Sequence, residues 1–159
     1  MAAIGDVDEA NSAIGMAAAA LGPDSDWAAM LARIQNDMFD LGADLATPGD
    51  DFTPSEMTLR IVAAQVTRLE SEIDDLNAAL DPLRSFILPG GTPGAAALHL
   101  ARAIVRRAER TAVGAAGEIP INPLALAYLN RLSDLLFVLT RRVNQMAGGD
   151  VLWTPGGSR

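Results

Sequence analysis

Apolar residues recur at helical spacing along almost the whole chain, and nowhere do they alternate as a half-buried strand requires. Val7, Ala10, Ile14, Ala17 and Leu21 step by threes and fours, which predicts a first helix over Met1 to Leu21, ended by Gly22-Pro23. Gly15 inside it lowers local helix propensity slightly. Trp27, Leu31, Ile34, Met38, Leu41 and Leu45 form a heptad stripe and predict a second helix over Asp24 to Ala46. After the loop Thr47 to Asp51, Thr53 offers an N-cap, Pro54 a first helical residue and Glu56 the far side of a capping box. The stripe Leu59, Val62, Val66, Leu69, Ile73, Leu76 and Leu80 carries this third helix to about Leu80, a rod of roughly 40 Å.

Asp81 to Gly94 breaks the pattern with Pro82, Pro89, Gly90, Gly91, Pro93 and Gly94, and reads as a shaped loop. Thr92-Pro93 repeats the cap-then-proline device and opens a fourth helix, which Gly117 to Pro120 closes. Asn122-Pro123 opens a fifth, with the stripe Leu129, Leu132, Leu136, Leu139, Val143 and Met146 and a Gly148-Gly149 stop. The expected fold is all-α, an up-and-down five-helix bundle forming one domain over residues 1–150. Val151 to Arg159 reads as a flexible C-terminal tail, in which Trp153 either packs back or meets a partner.

Composition narrows the chemistry. With 159 residues, half of them apolar and only 4% aromatic, the core must be Ala, Leu, Ile, Val and Met. The net charge of −8 disfavours nucleic acid as a partner but leaves room for a local basic pocket. With no Cys there is no thiolate metal site, disulfide or Cys nucleophile, a usage that fits the cytoplasm. All twelve basic residues are Arg, so neither a P-loop Lys nor Schiff-base chemistry is open to the chain. His99 is the only His, and no Glu-x-x-His pair exists, so no resident metal site is expected. Asp6, Asp8 and Glu9 follow the initial Met too closely for a signal peptide, and no apolar run is long enough to span a bilayer.

Against this acidic background, Arg102 to Arg110 packs four Arg and one Glu into nine residues. On a helix, Arg102, Arg106 and Glu109/Arg110 share one face, beside a small apolar stripe of Leu98, Ala101, Val105, Ala108, Ala112 and Ala115. A row of guanidinium groups suits a polyphosphate, and it equally suits a solvated face with intrahelical Glu–Arg pairs. The last helix carries a second stripe, Asn130, Asp134, Phe137 and Arg141. There Asn130 could bond a ligand, and Asp134 could pair with an Arg of the preceding helix. Phe86, with Ile87 and Leu88, could plug the bundle end or face a bulky ligand. His99 reads more readily as a structural His than as an acid or base.

Four motifs in order do more than any one alone. GDVDEANSAIG (Gly5–Gly15), RSFILPGG (Arg84–Gly91), ARAIVRRAER (Ala101–Arg110) and YLNRLSDLLF (Tyr128–Phe137) together resemble the PduO-type ATP:cob(I)alamin adenosyltransferases, over Gly5 to about Met146. The resemblance implies a homotrimer with active sites between neighbouring subunits. It also implies transfer of the 5′-deoxyadenosyl group of ATP, accompanied by Mg²⁺, to the cobalt of cob(I)alamin, with triphosphate leaving. Cobalt would be the nucleophile, so the protein needs no Ser, Cys or Lys nucleophile. A reductase and an adenosylcobalamin-dependent acceptor enzyme are the implied partners.

Residue by residue, the resemblance places Arg106, Arg107, Ala108, Glu109 and Arg110 in the ATP-binding segment, with Arg106 on the triphosphate, and Asn130 as an ATP contact. It pairs Arg102 with an acidic residue of the neighbouring subunit, best matched by Asp8. Phe86 would occupy the lower face of the corrin, displace the dimethylbenzimidazole ligand and leave four-coordinate Co(II). The implied catalytic set is therefore Phe86, Arg102 and Arg106. The family ordinarily opens with a Gly- and Thr-rich segment that wraps the triphosphate ahead of the first helix. A chain lacking those backbone donors is expected to bind ATP weakly and turn over slowly, or to serve as a cobalamin-binding or delivery module.

Overall fold

The computed structural model describes residues 1–157. Five helices account for most of them: α1 (Ala2–Leu21), α2 (Ala28–Leu45), α3 (Ala63–Asn77), α4 (Pro93–Ala116) and α5 (Pro123–Gln145). The two cap-then-proline devices work as read. Thr92 accepts a hydrogen bond from the Ala95 amide through its hydroxyl, and Asn122 accepts one from the Leu124 amide, with Pro93 and Pro123 just inside each helix.

α4 lies at the centre, packed against α1 on one side and α5 on the other, while α2 rests on α1 and α3 on α5. Small side chains make the α1–α4 seam close. Ala10, Ala17, Ala101, Ala108 and Ala112 are fully buried, and Gly94 meets Leu21 where a Cβ would lie 2.4 Å from its Cδ2. The larger residues Tyr128, Leu31, Ile34, Leu41, Leu129 and Leu132 fill the remainder of the core.

The third helix differs from its expected extent. It covers 15 residues, about 22 Å, not the roughly 40 Å rod starting at Thr53. Residues 53–62 are extended or turned, and Leu59 and Met57 are exposed. The cause is a buried polar node. The Asp44 carboxylate accepts from Arg60 (2.7 Å), the Ile61 amide (2.8 Å) and Asn122 Nδ2 (2.7 Å), and Arg60 also donates to the Thr47 and Asp51 carbonyls. A helix through Ile61 would commit its amide to its own ladder and leave Asp44 short of a donor, so the tertiary demand overrides the cap signal. The real start is Val62, whose amide donates to the Gln65 side chain.

The C-terminal segment is tied down where it begins. The Leu88 amide donates to the Val151 carbonyl (2.7 Å) and the Trp153 amide to the Phe86 carbonyl (2.8 Å), which pairs Ile87 with Leu152 antiparallel. Of the two options for Trp153, packing back is the one adopted. No helix among the described residues is long and apolar enough to cross a membrane.

Candidate nucleotide and corrinoid site

The loop between α3 and α4 is shaped by the end of α5. Arg141, with 9% of its surface exposed, donates to the Asp81 carbonyl at the loop's start. Asn144, almost fully buried, clamps its end: the side-chain oxygen accepts from the Thr92 amide and the side-chain nitrogen donates to the Gly90 carbonyl. Asp150 completes the arrangement by accepting from both Arg141 and Asn144. Gly91 between them has φ +106°, and a Cβ there would lie 2.1 Å from the Asn144 oxygen, so only glycine fits.

This anchoring presents Phe86 on the loop, 76% exposed, over an open cleft of about 800 Å³. Arg84, Phe86, Ile87, Arg102, Phe137 and Trp153 are among the residues that line it. Phe86 and Trp153 meet edge to face, with ring centroids 5.8 Å apart. The Arg102 guanidinium carbon lies 5.9 Å from the centre of the Phe137 ring, and its buried Nε meets no acceptor among the described residues. The cleft is thus aromatic and wide, with one half-buried cation at its α4 wall.

One turn further along α4 the chemistry changes. Arg106 pairs with Glu109 at 2.8 Å, and Glu109, through its other oxygen, accepts from Asn130 of α5 at 2.8 Å. Arg110 donates to the Arg106 carbonyl and stays exposed. Asn130 also accepts from Arg131, which pairs with Asp134. Asp134 therefore finds its Arg on its own helix, not on the preceding one as expected, because the i, i+3 partner is the nearer cation.

The remaining members of the segment point elsewhere. Arg107 faces α1 and pairs with Asp6 (3.6 Å) and Glu9, beside a 2.6 Å hydrogen bond from Thr111 to Asp6. Ala108 is wholly buried in the α1–α4 seam, so its side chain offers a ligand no surface. Asp8 is exposed and has no ion-pair partner among the described residues. It lines a separate groove between α1 and α2, with Met38 and a 70%-exposed Phe39. Within one chain, Asp8 and Arg102 therefore do not pair.

His99 lies one turn before Arg102, 3% exposed, with neither ring nitrogen hydrogen-bonded among the described residues. Burial first, then the Arg102 charge, pushes its pKa below the ordinary value, against a smaller opposing pull from Asp150. Phe86, Arg102, Arg106, Glu109 and Asn130 stood out in the sequence, whereas Asn144 and Asp150 did not. Asn144 is one of several polar residues in the last turn of α5, and the Gly148-Gly149-Asp150 run just after it was the only other local signal.

The chain is similar to known proteins over nearly its whole length. The model of the cobalamin adenosyltransferase family matches residues 1–143. A corrinoid adenosyltransferase of Mycobacterium tuberculosis is 51% identical over 161 residues, covering 100% of this chain and 82% of its own length. The Bacillus subtilis corrinoid adenosyltransferase is 42% identical over 151 residues, 92% of this chain and 76% of the relative. Among solved structures, a PduO-type ATP:corrinoid adenosyltransferase from Lactobacillus reuteri, altered at one phenylalanine and complexed with cobalamin and ATP, superposes with a TM-score of 0.84. It is 39% identical and covers 96% of this chain and 84% of that one. A second variant of that enzyme, altered at an arginine and complexed with ATP, gives a TM-score of 0.82. With its five helices, its aromatic loop and its arginine-bearing α4, the chain belongs to the cobalamin adenosyltransferase family.

Proposed function

We propose that this chain is an ATP:corrinoid adenosyltransferase that moves the 5′-deoxyadenosyl group of ATP onto the cobalt of cob(I)alamin. One observation carries the reading: α4 holds two unlike sites one turn apart. Arg102 lines the aromatic cleft, and Arg106 heads the Arg–Glu–Asn cluster. Four helical residues advance about 6 Å, so a nucleotide held by its phosphates at Arg106 can bring its ribose to a corrin seated in the cleft.

In the reaction, the cobalt lone pair of Co(I) attacks the ribose 5′ carbon and a Co–C bond forms. The C5′–O bond breaks, and its electron pair departs with triphosphate. The corrinoid supplies the nucleophile, so the chain's own work is to position and to stabilise. Arg106 and Arg110 meet the charge that gathers on the leaving triphosphate. Glu109 bridges Arg106 and Asn130 and so holds both at the nucleotide. Among the described residues no cluster of three His, Asp or Glu side chains could hold a metal ion. Mg²⁺ would arrive with the nucleotide, and Glu109 is the carboxylate that the Arg106–Asn130 cluster would offer it. Arg107 braces α4 against α1, and Ala108 serves only to pack the helix.

Phe86 takes the lower corrin face, where its ring excludes the dimethylbenzimidazole ligand and leaves cob(II)alamin four-coordinate and easier for a reductase to reduce. The phenylalanine and arginine altered in the Lactobacillus reuteri variants stand as far apart in that sequence as Phe86 and Arg106 do here, which supports both assignments. The assembly is a homotrimer with sites shared between subunits. In support, Asp8 and Arg102 each lack an ionic partner within the described chain, and Asp8 sits in a groove beside the exposed Phe39. An adenosylcobalamin-dependent enzyme is the consumer of the product, and the chain works in the cytoplasm.

The test is anaerobic incubation with MgATP and chemically reduced cob(I)alamin, followed by absorbance. The expected product is light-sensitive adenosylcobalamin. Tight cobalamin binding without a light-sensitive product would leave only a binding or delivery module.

A further inference from the structure

Phe86 stands on a loop, largely in solvent, yet the role proposed for it is steric: its ring must hold a place that another ligand would otherwise take. A freely turning ring cannot do that. The structure supplies a brace from the far end of the chain. Trp153 lies directly opposite Phe86 across the short antiparallel pairing of Ile87 with Leu152. Its amide donates to the Phe86 carbonyl at 2.8 Å, and its carbonyl accepts from the Ser85 hydroxyl at 3.1 Å. Both backbone groups of Trp153 are therefore spent on the loop that carries Phe86. Its indole meets the Phe86 ring edge to face at 5.8 Å and 68°. Side chains opposite one another on a paired ribbon lie on the same face, so the indole bounds one side of the phenyl ring and leaves the other to the cleft.

We infer that Trp153 is the positioning residue for Phe86, holding its ring in the orientation that keeps the lower corrin face clear. This deepens, and rests on, the adenosyltransferase reading. Trp153 touches neither ATP nor the reacting atoms in this account. It lines the corrin cleft beside Phe86 and acts on the reaction by holding that ring, on the corrin side alone. An edge-to-face aromatic contact biases a two-position equilibrium by about two- to tenfold, which sets the size of the expected effect.

The experiment compares the full chain with Trp153→Ala, Trp153→Phe and Phe86→Ala. MgATP affinity is read by calorimetry, the four-coordinate fraction of bound cob(II)alamin by electron paramagnetic resonance, and kcat and KM with reductant present. Trp153 is 44% exposed, so its truncation should leave the helical circular dichroism unchanged. Trp153→Ala should keep MgATP affinity, lower the ratio of four- to five-coordinate cob(II)alamin about two- to tenfold and lower kcat with it. Trp153→Phe, which keeps an aromatic edge, should recover most of both. If Trp153→Ala matches the unaltered chain in four-coordinate fraction and kcat while Phe86→Ala loses both, the inference is overturned and the functional reading stands. If the unaltered chain forms no four-coordinate species and no product, the functional reading fails and takes the inference with it.

Discussion

Gly91→Ala probes how the corrin side of the site is built without touching any residue that would meet substrate. The added Cβ would sit 2.1 Å from the Asn144 side-chain oxygen and 2.6 Å from its nitrogen. A side-chain tip can often swing away from such a clash, but this one is almost fully buried and bonded to the Thr92 amide, the Gly90 carbonyl and Asp150. Moving it leaves partly buried backbone groups unpaired, at about 1–3 kcal/mol. The φ of +106° adds backbone strain of about 1–3 kcal/mol for any residue with a Cβ. Together these come to about 2–6 kcal/mol, below most of the typical 5–15 kcal/mol stability of a domain, so the variant should fold, with a Tm lower by roughly 5–20 °C. Functionally the loop end loosens while α4 from Arg106 onward is untouched. Corrinoid KM should therefore rise severalfold, with MgATP affinity unchanged by calorimetry. A Tm within 1 °C or so of the parent, together with an unaltered corrinoid KM, would refute the clamp. An equal loss of ATP affinity would show that the two sites are not separable.

Three other expectations follow from different parts of the molecule. Arg60→Ala strips the buried Asp44 carboxylate of its cation and should cost about 3–5 kcal/mol in urea denaturation, whereas a loss below about 1 kcal/mol would mean that the amide and Asn122 donors suffice. His99 has a lowered pKa in the fold, so the unfolded chain takes up its proton first as pH falls. Its stabilising contribution is complete above about pH 6.5 and declines below it, by up to about 1.4 kcal/mol per pH unit, until the native His protonates. His99→Leu should flatten that part of the pH–stability curve, and parallel curves for the two proteins would remove His99 as the cause. Sedimentation should give a trimer, with Asp8→Ala and Arg102→Ala weakening it alike. A monomer at assay concentrations would contradict sites shared between subunits.

What was legible in the sequence was what repeats or what is locally encoded. The leucine and alanine stripes placed all five helices, and Thr92-Pro93 and Asn122-Pro123 placed two helix starts to the residue. The motifs RSFILPGG, RRAER and NRLSD brought Phe86, Arg106, Glu109 and Asn130 to attention; the structure joins Arg106, Glu109 and Asn130 across α4 and α5 and sets Phe86 on the loop ahead of α4, over the cleft that Arg102 also lines. What was not legible depends on partners far apart in the chain. The start of the third helix failed because Asp44 demands the Ile61 amide, a contact across 17 positions that no local cap signal reveals. Arg107 looks like its neighbour Arg106 in a list of charges, yet 100° of helical rotation turns it toward Asp6 and Glu9 of α1. The brace of Trp153 on Phe86 joins residues 67 positions apart through backbone groups that every residue carries, so no side-chain pattern announces it.

In the proposed function α4 divides the work, with the nucleotide at its Arg106 turn and the corrin at its Arg102 turn, its lower face on Phe86. The most direct test measures MgATP affinity and cob(II)alamin adenosylation side by side in Arg106→Ala and Phe86→Ala. A crossed result is expected. Arg106→Ala should lose ATP affinity, by about tenfold or more for a charge-assisted phosphate contact. Phe86→Ala should bind MgATP normally yet fail to convert cob(II)alamin under reductant. Two variants that lose both properties together, or an Arg106→Ala that binds ATP as tightly as the parent, would contradict it and return the arginine row to a solvated face.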